Sequence, residues 1–423
     1  MKQVLVIGGG AAGMLAALSA AEQGSQVTLL EKNEKLGKKI YITGKGRCNV
    51  TNACSFDNFL QQVTVNQRFL YSALRQFFNT DLCALLESGG CALKTERGDR
   101  VFPVTDHASD VTKALEKLLR RAGVRICLNT EVTKIRQSDA ASGFLVQTRN
   151  RGESGKNEEV RADAVIVCTG GLSYPSTGST GDGYRFARAF GLPVTEMFPS
   201  LVPLTLQEED ARLLQGLSLR NVELSVRSRD AEKPVFSEFG ELLFTHFGIS
   251  GPLVLSASAY LTERLMKGER FRLSIDLKPA LTEEKLDERI LRDFAAQKNA
   301  NLGNAVAKLL PALLRPVVLR RAALSPEQKV HDVTKAERRR LIETIKKLEF
   351  TATGTRGFAE AIITKGGVSV SAINPRTMEA KQVPGLYFAG EVLDVDAMTG
   401  GFNLQIAFST GAAAGRGAGR AVL

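Results

Sequence analysis

Hydrophobic residues enter this chain in two rhythms. In the first, short unbroken apolar runs alternate with helical stretches. Val4–Ile7 predicts a strand buried on both faces. Ala11 to about Gln23 predicts a small-residue helix with Gly24 as its C-cap, and Val27–Leu30 a second strand. Helices are predicted over 67–88 and 107–122, the latter entered through Ser109-Asp110 and followed by Gly123 and the strand Val124–Leu128. Residues 131–137 and 144–149 read as an antiparallel pair joined by Ser/Asp/Gly residues, and the run Ala164–Thr169 leads to Gly170-Gly171. From about 193 the rhythm becomes strand-like alternation, with segments 201–206, 217–229, 234–246 and 270–277 separated by turns, the mark of a small barrel or sandwich.

A helical block follows. Thr282 before Glu283-Glu284 starts one helix. Ser325-Pro326-Glu327-Gln328 reads as a capping box with Pro at the first helical position, and Thr334-x-x-Glu337 as another. Apolar positions 306, 309, 310, 313, 314, 317 and 318 keep helical spacing past Pro311 and Pro316. Strand character returns near Phe350, and the last segment rejoins the first rhythm.

Between the first strand and helix lies Gly8-x-Gly10-x-x-Gly13. Gly8 permits a tight turn, Gly10 lets backbone approach a pyrophosphate, and Gly13 allows close helix–strand packing, while the helix N-terminus offers amides to the anion. Glu31, at the end of the next strand, is placed to accept a ribose hydroxyl. Near the C-terminus a strand ends in Gly390-Glu391, and Gly400-Gly401 opens a small-residue helix. Such a second device suits a flavin: the helix N-terminus faces its oxygens and Glu391 accepts a ribityl hydroxyl. The two chain ends are therefore expected to build one FAD site, with everything between them looping out. Gly178-Ser-Thr-Gly-Asp-Gly183 precedes a helix but lacks the spacing of a second dinucleotide fingerprint, so it either closes over the site or turns the chain.

Composition narrows the class. The 423 residues suggest two or three domains. No apolar stretch reaches the roughly 20 residues that span a bilayer, and Gly8–Gly10 break the N-terminal run too early for a leader peptide. Six cysteines (48, 54, 83, 91, 127, 168) lack Cys-x-x-Cys spacing and read as free thiols in a cytoplasmic protein. Cys48 and Cys54 stand one residue too far apart for a flavin-reductase dithiol. With three scattered histidines, no metal site is expected. The net charge of +11 is uneven, since residues 308–347 hold eleven Lys/Arg against four acids. That block is a solvated face, a steering field for an anion, or an RNA contact. No aromatic residue interleaves with it, which argues against nucleic acid.

The motifs Thr43-Gly-Lys-Gly-Arg-Cys-Asn-Val-Thr-Asn52, Arg100-Val-Phe-Pro103, Thr169-Gly-Gly171, Phe244-Thr-His-Phe-Gly-Ile-Ser-Gly-Pro252 and Thr399-Gly-Gly-Phe-Asn-Leu-Gln405 make the chain resemble, over essentially its full length, the BaiN/YhiN-like FAD-dependent oxidoreductases. The resemblance implies an α/β fold: a discontinuous Rossmann-like FAD domain (1–192 and 351–423), an inserted β-barrel-like domain (193–279 and 340–350) and a helical subdomain (280–339). It also implies FAD contacts at Ala12, Glu31, Lys32, the Gly44–Asn49 loop, Val132, Glu391, Asn403 and Leu404, with Lys39, Lys45 and Arg47 offsetting phosphate charge. The full expected set is Gly8, Gly10, Ala12, Gly13, Glu31, Lys32, Lys39, Gly44, Gly46, Arg47, Asn49, Val132, Thr169, Gly170, Gly390, Glu391, Gly401, Asn403 and Leu404.

His246, among apolar neighbours, is the acid/base candidate or else a structural histidine. Tyr174, Tyr184 and Arg356 are weaker cavity candidates, and His107 and His331 read as surface residues. The family's chemistry leaves alternatives open. The preferred expectation is reduction of an activated C=C bond, with NAD(P)H as a transient donor to a small-molecule substrate. The others are an O2-using oxidase of a small amine, an RNA-associated flavoprotein using the basic block, and a flavin carrier without turnover.

Overall fold

The computed structural model describes residues 1–138, 143–151, 157–228, 231 and 233–420. They form two compact units, Met1–Ser200 with Phe358–Leu423, and Leu201–Gly357. Both divisions fall some seven residues beyond those expected at 192 and 350. Phe198–Ser200 pairs with Ile363–Lys365 inside the first unit, while Leu348–Thr355 closes the barrel of the second.

The first unit is built on a five-stranded parallel sheet. Its order is Leu386–Phe388, Ala164–Val167, β1 (Gln3–Ile7), β2 (Gln26–Leu30), Arg125–Cys127. The two chain ends thus meet in one sheet, as expected. Ala164–Val167 is fully buried, which explains its unbroken apolar run. Helix α1 (Ala11–Glu22) packs on the C-terminal helix Phe402–Gly419. A Cβ on Gly411 would sit 2.2 Å from the Ala12 carbonyl oxygen, and one on Gly415 2.3 Å from that of Ala16. Glycine every fourth residue therefore lets the two backbones nearly touch.

Around this sheet lie a three-stranded antiparallel layer (Thr130–Gln137, Phe144–Asn150, Asn157–Ala162) and a second one (Thr51–Asn52, Arg100–Pro103, Leu93–Glu96). The expected connection at 139–142 lies outside the described residues. The expected helix 67–88 is two helices, Gln67–Gln76 and Asn79–Ser88. Phe77 and Phe78 are extended between them, and the Phe78 amide donates to Asp81.

The second unit is a closed six-stranded barrel in the order Leu204–Leu206, Gly248–Ser250, Phe236–Thr245, Ser218–Ser228, Phe271–Asp276, Leu348–Thr355. Its core is continuous with Leu286, Ile290, Leu314, Val318, Leu341 and Ile345 of the helices, so barrel and helical block share one interior rather than forming two domains. The Thr334/Glu337 capping box is present in both directions, and Thr282 caps Glu283–Ala295. No helix begins at Ser325: its hydroxyl turns back to Glu327, and a short 3-10 turn follows at Val330–Asp332. The helix expected through Pro311 is broken there, and only Leu314–Arg321 is α-helical, with Pro316 tolerated in its first turn. Among the described residues no helix is long and apolar enough to cross a membrane.

Candidate active site

The turn after β1 is shaped by its glycines. Gly8 has φ +100°, and a Cβ there would lie 2.5 Å from the Cys168 carbonyl oxygen. A Cβ on Gly13 would come within 1.8 Å of the Gly8 carbonyl oxygen, whereas one on Gly10 would meet no other protein atom within 4 Å. Gly13 therefore seals the turn to α1, and Gly10 leaves open space over the helix N-terminus. That space belongs to a cavity open to solvent and walled entirely by residues of the first unit.

Glu31 holds the turn in place. It is 7 % exposed, and its Oε2 accepts from the Gly9 amide at 2.7 Å. Its Oε1 accepts from the Asn33 amide at 2.8 Å and from Asn33 Nδ2 at 2.7 Å. Lys32 reaches Asp182 Oδ2 at 2.8 Å and Thr180 Oγ1 at 2.6 Å, while Asn33 Nδ2 donates to the Thr177 carbonyl. Burial would raise the Asp182 carboxyl, but the hydrogen bond and charge of Lys32 outweigh it and hold the group below its usual range. The glycine-rich run 178–183 is thereby laced onto the cavity, and Gly178, Ser179 and Asp182 line it.

The C-terminal segment brings Glu391. Its Oε2 pairs with Lys39 Nζ at 2.6 Å, and its Oε1 accepts from Ser173 Oγ at 3.0 Å and the Thr364 amide at 2.9 Å. Thr364 Oγ1 in turn accepts from the Leu172 amide. Asn403 clamps the preceding loop by donating to the Ala397 carbonyl at 2.7 Å and accepting from the Ala397 amide at 3.1 Å. The positive-φ Gly401 cannot carry a side chain, because its Cβ would stand 2.4 Å from the Thr51 carbonyl oxygen.

Of the expected residues, Gly8, Gly10, Ala12, Glu31, Lys32, Lys39, Val132, Thr169, Gly170, Gly390, Glu391, Asn403 and Leu404 line the cavity. Gly13, Gly44, Gly46, Arg47, Asn49 and Gly401 do not. Arg47 in particular is no phosphate clamp: it pairs with Glu96 and with Asp106 (2.7 Å) and stacks on Phe102. Two acids within reach of one guanidinium consume the charge that the motif offers. Lys45 is exposed and also stands off the cavity wall.

His246 sits exposed in a turn of the barrel unit, edge-on to Phe247, and makes no hydrogen bond among the described residues. Tyr184 is buried with its hydroxyl unpartnered, and burial pushes that hydroxyl upward. Arg356 lies over the Phe247 ring. Asn33, Ser173, Asp182 and Thr364 escaped the sequence reading. Only Asp182, in the glycine-rich run, carried any local signal.

The cavity fits FAD on its own terms. It has an open glycine cradle at a helix N-terminus, a buried Thr169 hydroxyl without a partner in its wall, and apolar lining from Ile7, Ile40, Ile363 and Leu404. Among the described residues no group of three or more His, Cys, Asp or Glu could hold a metal ion, and all six cysteines are free.

Asp396, on the strand beside the Asn403 loop, is fully buried. Its Oδ2 accepts from Ser200 Oγ at 2.7 Å, and Oδ1 has no partner. Burial pushes this carboxyl up to about 6, against the Ser200 hydrogen bond and the Lys365 charge. The folded state then binds more protons than the unfolded chain between about pH 4 and pH 6, so stability falls as pH rises through that window. Asp396→Asn removes the penalty. Relative to wild type, the variant is expected to gain up to about 3 kcal/mol between pH 4 and pH 7, read from unfolding midpoints at the two pH values. An offset independent of pH would refute this.

The HI0933-like protein Rossmann domain matches residues 2–417. The chain is 34% identical over 411 residues to the ribosomal RNA dihydrouridine synthase of Haemophilus influenzae, covering 96% of both chains. It is 30% identical over 420 residues to the 3-dehydro-bile acid delta(4,6)-reductase of Clostridium scindens, covering 99% of both. The 3-ketosteroid-delta4-(5alpha)-dehydrogenase of Rhodococcus jostii RHA1 shares the fold, with a TM-score of 0.50 at 15% identity over 99% of this chain and 97% of that one.

Proposed function

The chain belongs to the HI0933-like Rossmann family, and from that premise we propose that it reduces the C5=C6 double bond of uridine in ribosomal RNA. The protein is an FAD-dependent oxidoreductase. Dihydrouridine differs from uridine by two hydrogens across C5=C6, a bond conjugated with the C4 carbonyl. A Δ4 bond of a 3-oxo bile acid is conjugated with its carbonyl in the same way. Both relatives' names thus describe saturation of an electron-poor C=C bond. The observation that carries the RNA reading is identity of 34% spread over 96% of both chains with a protein named for that product. On this reading RNA, the less favoured partner in the sequence, is the substrate.

FAD, when bound, supplies the two-electron exchange that such a reduction needs. The first turn of α1 and the Gly8–Gly10 backbone receive the pyrophosphate, Glu31 fixes the glycine turn, and the Lys39–Glu391 pair braces the wall from the C-terminal segment. Ile7, Ile40, Ile363 and Leu404 exclude water along the lining. Gly178, Ser179 and Asp182 of the run 178–183 line this same cavity, and on this reading NAD(P)H is the transient electron source.

The test is anaerobic incubation of the yellow protein with ribosomal RNA transcribed in vitro, which carries no modified bases, and NADH or NADPH. A nucleoside two hydrogens heavier than uridine is expected in the digest. The Clostridium scindens relative favours a second reading, an enone of a 3-oxo bile acid. Turnover of that steroid, with RNA left unreduced under both donors, would establish it instead.

A further inference from the structure

The basic block that suggested RNA is partly neutralised by its own unit. Arg320 and Arg321 pair with Asp210, Arg338 with Asp287, Arg339 with Glu343, and Lys346 with Asp276. A different surface keeps its charge. Helix Gln67–Gln76, in the first unit, buries Phe69, Leu70, Ala73 and Leu74 and exposes Arg68, Tyr71 and Arg75. The spacing of three and four residues puts those three side chains on one face. The helix contains no acid, and Arg68 makes no hydrogen bond or ion pair among the described residues. Tyr71 is 50% exposed although it has aromatic neighbours to pack on. Arg75 lies 4.1 Å over the Phe56 ring and 5.2 Å over Tyr71, its Nη2 donates to the Tyr71 hydroxyl at 3.2 Å, and no acid pairs with it among the described residues.

The patch is tied to the cofactor cavity. Tyr71 meets Phe56 edge-on at 5.2 Å, Phe56 meets Phe78 at 5.5 Å, Phe78 meets Phe59 at 5.3 Å, and Phe59 meets Phe402 at 5.0 Å. Phe402 opens the C-terminal helix, directly before the cavity-lining Asn403 and Leu404. An aromatic surface flanked by unneutralised arginines is what a single strand needs, with bases stacking on the ring and phosphates on the guanidinium groups.

We propose that the Arg68–Tyr71–Arg75 face docks the single-stranded RNA flanking the target uridine. The proposal rests on the uridine-reductase reading and adds where the substrate is held. A base drawn from its stack into the cavity leaves its neighbours to be supported, and this rigidly braced face is the support.

The experiment uses the FAD-loaded full chain and a labelled single-stranded oligouridine, followed by fluorescence anisotropy across a salt series. Tyr71→Ala is expected to weaken binding about 5- to 100-fold, and Tyr71→Phe to restore it. Arg68→Glu is expected to weaken binding and to lower the log–log salt slope by about 1, with flavin content and melting temperature unchanged. In turnover, KM for ribosomal RNA rises and kcat holds. Wild-type affinity and slope in both Tyr71→Ala and Arg68→Glu would overturn the proposal while leaving the reductase reading intact. Loss of binding in Lys308→Glu or Lys335→Glu, but not in Arg68→Glu, would likewise move the surface to the helical block. A wild-type protein that neither binds the oligomer nor reduces ribosomal RNA would sink the reductase reading itself.

Discussion

A Gly13→Ala protein is expected to purify colourless. The new methyl carbon would start 1.8 Å from the Gly8 carbonyl oxygen, and contacts below 3.0 Å are essentially never seen for a real Cβ. Backbone stands on both sides, so no rotamer change relieves the clash. α1 must move by more than 1 Å from the turn it caps. Overpacking of this kind costs about 1–3 kcal/mol or more, and a displacement of about 1 Å in a positioned site lowers its function on the order of 100-fold. Gly10→Ala separates the two effects. Its Cβ meets no other protein atom within 4 Å and its φ of −81° suits alanine. That variant should keep the melting temperature of flavin-free wild type and lose only flavin, because the methyl group occupies the space reserved for the ligand. Flavin content and thermal unfolding of the pair are the measurements. A yellow Gly13→Ala protein with unchanged melting would contradict the packing described.

The second large effect is expected from Glu31→Ala. Three donors converge on this buried carboxylate: the Gly9 amide, the Asn33 amide and Asn33 Nδ2. Removing the acceptor leaves two backbone amides unpaired beside the cavity. Hydrogen bonds to a charged group contribute about 1.5–3 kcal/mol each, so a loss of roughly 3–5 kcal/mol is expected, shared between fold stability and FAD affinity. Glu31→Gln keeps one acceptor oxygen and should lose about half as much. Equal FAD dissociation constants for wild type and Glu31→Ala would show that the carboxylate does not hold the turn.

What the sequence made legible follows from the range of each interaction. The β1–turn–α1–β2 unit is local, and its signals lie within some thirty residues: an apolar run, spaced glycines, a helix, an acid. The return of the C-terminal segment was legible because Leu386–Phe388 is apolar throughout and ends in Gly390-Glu391. The helix Pro252–Met266 was not foreseen. Leu253, Val254, Ala257, Ala259, Leu261 and Leu265 are buried around much of its circumference, so no polar stripe marks a helical period. The strand Asn157–Ala162 was missed for the opposite reason: it is an edge strand, and its Asn-Glu-Glu-Val-Arg sequence faces solvent.

Roles within the site were harder to read than membership of it. Lys39 and Glu391, 352 residues apart, were both expected at the cofactor, but their pairing was not. Arg47 carried the right charge in the right motif, and Glu96 and Asp106 claimed it through folding of the Arg100–Pro103 layer. Part of the charge of the basic helical block is claimed in the same way, since Asp210, Asp287 and Asp276 arrive from distant segments. Net charge along a chain counts these acids, yet only the fold says which cations they silence.

Cofactor released by heat from freshly purified protein, and its re-uptake by the stripped chain, tests the joining of the two chain ends most directly. One FAD per chain is the expected yield, and returning FAD to the stripped protein should quench its fluorescence. A colourless preparation that leaves the fluorescence of added FAD unchanged would contradict the assignment.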